Sequence, residues 1–234
     1  MIDRLQTIFY WANLWTWIRL TLLIVTSRDV RGLENIPRKG GLILTCNHFS
    51  VGDPPVLTGT FPRRIAWMAK QELFDFPIVG KLYKMGGFIP VRRFEGDLRA
   101  IRMSQAALRH GHVLGMFPEG TRSGGRLGTG EPGTALIALR TGAPILPAAI
   151  WGTEHVKLPR DLLRRTRAHI RFGEPFRLPQ SKRITKEHVT AGTEEIMRRI
   201  AELLPPEYRG AYATNATARP EAARRMSPGE KVAG

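Results

Sequence analysis

The sequence has almost no sulfur chemistry to offer: one of its 234 residues is a cysteine, Cys46. A single thiol cannot close an internal disulfide and gives no metal-cluster spacing, so no metal and no resident cofactor is expected. Gly-x-Ser-x-Gly is also missing, which removes the usual serine elbow of a covalent hydrolase. Acid is scarce: 20 Asp and Glu face 36 Lys and Arg, leaving a net charge of +16. Such a surface draws polyanions, usually nucleic acid or anionic membrane. The signatures of nucleic-acid binding are absent: no zinc-finger spacing, no Lys/Arg-Gly-Phe aromatic strand, no heptad-backed basic helix. An anionic membrane surface is therefore the expected partner, and nucleic acid is not. No internal repeat is visible.

What is present begins with an apolar tract from Leu5 to Val25, broken by Gln6, Thr7, Asn13, Thr16, Arg19 and Thr21. It is long enough to cross a bilayer, yet Arg19 would be costly at mid-depth. Tyr10, Trp11, Trp15 and Trp17 crowd its middle, and such rings favour the headgroup level. The tract predicts an interfacial helix or shallow re-entrant anchor over residues 1–26, with a spanning helix or a core helix as alternatives. Opening with Asp3 and lacking a small-residue cleavage site, it does not read as a signal peptide. The protein is expected at the cell membrane, peripheral or monotopic on its cytoplasmic face.

Residues 27–204 are long enough for one domain with a sizeable core. Apolar runs around Val30-Arg31-Gly32 and at 42–46, 64–69, 88–91, 113–116, 145–150 and 168–172 read as strands. Helical spacing appears over 72–85, 98–109, 134–140 and 185–204. Pro77 should kink or break the first of these, Asp97 should cap the second, and Gly111 and Gly142 should stop the second and third. The four-glycine loop 123–130 should carry no regular structure. Strands alternating with helices imply an α/β fold: a mixed, largely parallel central sheet flanked by helices, with its chemistry on loops at one edge. The Ala/Arg/Pro-rich stretch 205–234 is expected to be a disordered basic tail.

Two loops carry the chemistry. Asn47-His48-Phe49-Ser50-Val51-Gly52-Asp53 follows the run ending at Cys46, and a fold-back at Gly52 would return Asp53 to the His48 imidazole. A carboxylate on one ring nitrogen fixes the tautomer and leaves the other nitrogen able to take a proton from a hydroxyl. A solvated loop His beside a turn-capping Asp is the plainer alternative. Cys46 and His48 would share one strand face, which admits a Cys–His pair, although a Cys closing an apolar run is more often a small buried residue. The second loop, Phe117-Pro118-Glu119-Gly120-Thr121-Arg122-Ser123, packs an acid, a glycine, hydroxyls and a guanidinium together, which suits an anion with hydroxyl neighbours. His110, His112, His155, His169 and His188 have no motif around them and are expected at the surface or at helix ends.

Together these loops resemble the glycerolipid acyltransferase family, the 1-acylglycerol-3-phosphate acyltransferases in particular. The first loop has that family's His, four residues and Asp, and the second its Glu-Gly-Thr-Arg. Gly87-Phe88-Ile89-Pro90-Val91-Arg92-Arg93 and Ala143-Pro144-Ile145-Leu146-Pro147-Ala148-Ala149 resemble its two remaining blocks, in the family's order, over roughly residues 35 to 155. The resemblance implies acyl transfer from acyl-CoA or acyl carrier protein, used as donor substrate, to the free hydroxyl of a lysophospholipid acceptor. Within it, His48 is the general base and Asp53 its partner. Arg93, Glu119, Gly120, Thr121 and Arg122 match positions associated with the glycerol phosphate. For Arg122 the alternative is a surface ion pair with Glu119. Arg92 departs from the pattern and is either a second phosphate contact or a solvated side chain. Backbone amides of Asn47 or of a glycine are the expected oxyanion donors. The rivals are an acyltransferase of the same fold with another lysolipid or glycolipid acceptor, and a non-catalytic basic membrane-binding domain.

Overall fold

Apolar residues set two apart build the middle of the molecule. The computed structural model of the chain describes residues 26–92, 97–155, 166–181 and 183–213, together with Ile8, Ala12, Thr16, Trp17 and Leu20. Its strands are β1 (Thr26–Arg31), β2 (Leu42–Cys46), β3 (Ile65–Lys70), β4 (Ile89–Val91), β5 (Val113–Met116), β6 (Ile145–Trp151) and β7 (Thr166–Phe172). Its longer helices are α1 (Asp53–Thr60), α2 (Pro77–Gly86), α3 (Leu98–Arg109), α4 (Gly133–Thr141) and α5 (Lys186–Leu203). The strands form one sheet in the order β1-β7-β6-β2-β5-β3-β4. Every neighbouring pair is parallel except β6 with β7, which is antiparallel. The α/β fold expected from the sequence is this one.

Both faces of the central strands are covered, and the pleat sorts their side chains. Leu42, Leu44 and Cys46 of β2 pack with Val56 and Leu57 of α1 and with Phe61 just after it on one face. Ile43 joins Leu114, Ala135, Ile196 and Ile200 on the other, under α3, α4 and α5. Doubly covered strands read as unbroken apolar runs, which is why they were legible. The parallel strands β6, β2, β5, β3 and β4 present their carboxyl ends at a single edge. In such sheets that edge receives ligands, and all four sequence blocks lie on the strands or loops that reach it.

Local signals hold in detail. The stretch 72–85 breaks at the proline into a 3₁₀ turn (Gln71–Phe74) and α2, with Pro77 as its first residue. Asp97 caps α3, accepting the Ala100 N–H at 2.9 Å, and Gly142 ends α4 in the left-handed region. Two expectations need correction. Gly52 does no special folding: its φ and ψ are −76° and −16°, ordinary right-handed values. The chain returns because Asp53 opens α1, its N–H bonded to the Ser50 carbonyl. Nor does the tail begin at 205. Residues 206–208 and 210–212 form two 3₁₀ turns, and Leu127 of the glycine loop exchanges backbone hydrogen bonds with Tyr208 and Ala211. Gly210 lies so close to the Leu127 carbonyl that a Cβ there would sit 2.1 Å from its oxygen. The domain thus continues through residue 213, and 214–234 lie outside the described residues. So does most of the N-terminal segment expected at 1–26. Among the described residues no helix is long and apolar enough to cross a membrane.

Candidate active site

His48 leaves β2 at the carboxyl edge and is held from every side. Its Nδ1 stands 3.0 Å from Asp53 Oδ2. A carboxylate only accepts hydrogen bonds, so Nδ1 carries the proton and Nε2 is left with its lone pair. Among the described residues Nε2 has no protein partner. The imidazole stacks on Phe117, with centroids 4.1 Å apart, and Phe117 stacks in turn on Trp67 at 4.8 Å. Gly115, opposite Trp67 in the β3–β5 register, makes room for that indole: a Cβ there would lie 2.4 Å from it.

Asp53 is sealed from solvent (0% exposed) while the His48 side chain keeps 13% of its surface. Besides the imidazole, Asp53 Oδ2 accepts the N–H groups of Phe49 and Ser50 at 2.7 and 2.8 Å. Its other oxygen accepts the Thr153 hydroxyl, from the turn after β6. Four donors on one buried carboxylate satisfy a charge that would otherwise be prohibitive there. Thr153 was not singled out from the sequence. Its contact spans 100 residues, and its only signal is that it closely follows the fourth block.

Glu119 holds the loop from beneath. It is buried, and its two oxygens accept the N–H of His48 at 2.7 Å and of Gly128 at 2.8 Å. Burial raises its carboxyl above the ordinary range, opposed by hydrogen bonds from Ser123 and these two amides. Ser123 N–H closes the frame on the His48 carbonyl at 2.9 Å. The acid therefore clamps the His48 backbone, and among the described residues it makes no ion pair with Arg122. Phe49, buried beneath the loop, stacks on Tyr208 at 5.7 Å. The folded stretch after α5 thus braces the site, and burial with nearby Glu154 pushes the Tyr208 hydroxyl up to about 12.

A cleft of about 430 Å³ opens beside His48. Met68, Val91, Ala100, Ile101, Met116, Leu136 and Ile137 make it mostly apolar, and Arg92, Asp97, Gly120 and Glu131 supply its polar points. Asp97 also accepts the Arg92 N–H at 3.0 Å, which ties the end of β4 to the start of α3. Of the expected residues, His48 and Gly120 line this cleft, Asp53 backs His48, and Glu119 lies under the loop. Thr121 and Arg122 are exposed on the same loop and outside the lining. Arg93 lies outside the described residues, whereas Arg92, left open from the sequence, is on the lining.

The thiol alternative fails on burial. Cys46 is fully buried, and its pKa is pushed well above the thiol range by desolvation and then by the charges of Asp53 and Glu119. A neutral thiol in the core is no nucleophile. Asn47 is likewise sealed, its side chain bonded in both directions to the backbone of Ile150. Among the histidines without motifs, His110 and His188 do sit at helix ends. His169 does not: it lies within β7, paired with Asp29 at 3.1 Å.

Comparison with known proteins bears on the same blocks. The family model described as Acyltransferase matches residues 27–151. A 1-acyl-sn-glycerol-3-phosphate acyltransferase of Bacillus subtilis (strain 168) is 31% identical over 188 residues, covering 80% of this chain and 92% of that protein. A protein of the same name from Borreliella burgdorferi is 35% identical over 147 residues, covering 59% of this chain and 55% of its own length. The crystal structure of the 1-acyl-sn-glycerophosphate (LPA) acyltransferase PlsC from Thermotoga maritima superposes with a TM-score of 0.62 at 28% identity. It covers 84% of this chain and 80% of that one.

Proposed function

The chain belongs to the acyltransferase family, as an O-acyltransferase of phospholipid biosynthesis, and from that premise we propose that it acylates the sn-2 hydroxyl of 1-acylglycerol-3-phosphate. The product would be phosphatidic acid, and the donor a thioester of coenzyme A or acyl carrier protein. The observation that carries the reading is the His48–Asp53 pair set against a mainly apolar cleft. His48 Nε2 takes the acceptor hydroxyl's proton as its oxygen attacks the thioester carbonyl carbon. The tetrahedral intermediate then collapses, the carbon–sulfur bond breaks, and the leaving thiolate takes that proton back from the imidazolium. Asp53 stabilises the imidazolium meanwhile. General-base action of this kind contributes about 10²- to 10⁴-fold in rate. The oxyanion needs its own donors, and the His48 amide is not one of them, being committed to Glu119.

The apolar lining suits an acyl chain, and the polar points sit where a headgroup would enter. Arg93, Gly120, Thr121 and Arg122 hold the acceptor phosphate in this reading, joined by Arg92, since a guanidinium offers phosphate a planar fork. The protein works on the cytoplasmic face of the cell membrane, with residues 1–26 as its main anchor. Deleting residues 1–25 should then leave only weaker, salt-sensitive binding to anionic liposomes. The deciding experiment is kcat/KM for lysophosphatidic acid and for monoacylglycerol, with both donors, in the wild type and in Arg92→Gln, Arg93→Gln and Arg122→Gln. Lysophosphatidic acid should be strongly preferred, and each lost guanidinium should weaken that preference by roughly ten- to a hundredfold. Equal use of monoacylglycerol by the wild type would overturn the phosphate assignment in favour of another acceptor.

A further inference from the structure

Helix α2 is built the wrong way round for a helix of a protein core. Its only buried residues are Gly80 and Gly86, while Ile78 is 77% exposed, Leu82 44% and Val79 36%, with Phe76 just before them at 58%. Backbone contact explains how it stays attached. Gly80 sits so near the Phe74 carbonyl that a Cβ would come within 2.1 Å of its oxygen, and Tyr83 wedges between Phe74 and Phe88. At 100° per residue, Ile78, Leu82 and Val79 share one arc of about 100°, turned away from Gly80. Exposed Lys81 borders that arc, and the helix contains no acid, although Glu72 and Asp75 precede it. The helix follows β3 at the carboxyl edge of the sheet, where the cleft takes Met68 from β3 and Val91 from β4.

We propose that α2 is a second membrane contact: its Ile78–Val79–Leu82 face dips into the headgroup–acyl boundary of an anionic bilayer, with Lys81 on the phosphates. At ten residues it is about 15 Å long, far too short to span, but suited to lying in the interface plane. Charge selects the occupant, since an apolar arc edged by Lys81 on a chain of net charge +16 complements anionic lipid. The helix would place the cleft mouth at the depth where a lysolipid lies. The inference rests on the reading that the acceptor is a lipid.

The sole native thiol is buried, so an environment-sensitive dye can be attached at Ile78→Cys, at Leu82→Cys, or at Thr190→Cys on α5 as control, all in the full chain. On vesicles of phosphatidylcholine with phosphatidylglycerol, dyes at 78 and 82 should brighten roughly two- to fivefold and be quenched by spin-labelled lipid, as expected for burial at the interface. The dye at 190 should not change. Ile78→Asp with Leu82→Asp should weaken vesicle binding by about tenfold or more and leave turnover of a monomeric short-chain acceptor unchanged. Silent dyes at 78 and 82, while wild type acylates vesicle-borne acceptor, would overturn the proposal. So would dyes already shielded without vesicles. Shielding that grows with protein concentration would mean a second copy covers α2, and shielding lost on deleting residues 1–25 would mean the N-terminal tract does. Dyes at 78 and 82 that brighten on vesicles, with a wild type that acylates no phosphate-bearing lysolipid, would sink the acceptor reading and leave the α2 contact standing.

Discussion

Among the described residues two Asp–His pairs have nearly the same geometry, and only one is fit for chemistry. His48 Nδ1 lies 3.0 Å from Asp53, and His169 Nδ1 lies 3.1 Å from Asp29. Each imidazole also stacks on an aromatic ring, Phe117 for His48 and Trp151 for His169. The surroundings separate them. Asp53 has one cationic partner to serve, the imidazolium when it forms, and its other donors are neutral amides and a hydroxyl. Asp29 is already shared with the Arg171 guanidinium at 2.7 Å and lies near Arg31. A carboxylate bound by arginine has little charge left to stabilise a second cation. His48 borders the cleft and His169 does not. A carboxylate–imidazole contact becomes a base only where the acid is otherwise uncommitted and the far nitrogen meets a substrate.

The sharpest way to break this contrast is to remove each imidazole. His48→Ala should lower kcat by roughly three orders of magnitude with acceptor affinity nearly kept, because a base acts on the barrier. His169→Ala should leave kcat within about twofold. Comparable losses from both would mean that His169, or the β1–β7 edge it joins, takes part in turnover. Asp53→Asn should cost less than His48→Ala, about a hundredfold, since the hydrogen-bonding frame survives but the imidazolium loses its counter-charge. Asp29→Asn should not alter turnover at neutral pH.

Thr153 refines the comparison, because among the described residues it alone holds the second oxygen of Asp53. Thr153→Val removes a buried donor from Asp53, and kcat should fall about three- to tenfold, in line with the net value of one hydrogen bond. Thr153→Ser, which restores the hydroxyl, should recover most of it. A purely structural role would move thermal stability and leave this rescue without effect on kcat.

Why one pair was legible and the other was not follows from chain distance. His48 and Asp53 sit five residues apart on one loop, so their meeting needs only local turn geometry after a strand already marked by its apolar run. Asp29 and His169 are 140 residues apart, and they meet because β1 pairs with β7 in a register that no local pattern encodes. Glu119 shows the same limit from the other side. Its block was recognisable, but its partners are backbone amides brought in by the fold, and an amide has no letter in a sequence. The bracing by Tyr208 was missed because 205–213 packs through backbone bonds and two tyrosines rather than through an apolar run. Strands covered on both faces were the easiest to read, since burial leaves its mark on every residue.

The smallest effect should be found at Asp29, in stability and not in rate. Arg171, then His169, hold its carboxyl below its ordinary 3.8, at about 2. A carboxylate whose folded-state pKa is depressed adds stability above its unfolded value and loses it as pH falls through the folded one. The contribution is therefore complete above about pH 4 and gone below about pH 2, as the two pKa values of this group require. Asp29→Asn removes the ionised partner of Arg171 at all pH, so the variant should melt below the wild type at neutral pH. Below pH 4 the gap should narrow, and near pH 2 it should close, because protonated Asp29 and asparagine then offer Arg171 the same lack of charge. Added salt should shrink the neutral-pH gap, since this edge of the sheet is partly open to solvent. Melting curves of both proteins between pH 2 and 7 measure this. A gap that stays constant through that window would mean that Asp29 stabilises the edge by shape and neutral hydrogen bonds, and the contrast with Asp53 would then rest on the cleft alone.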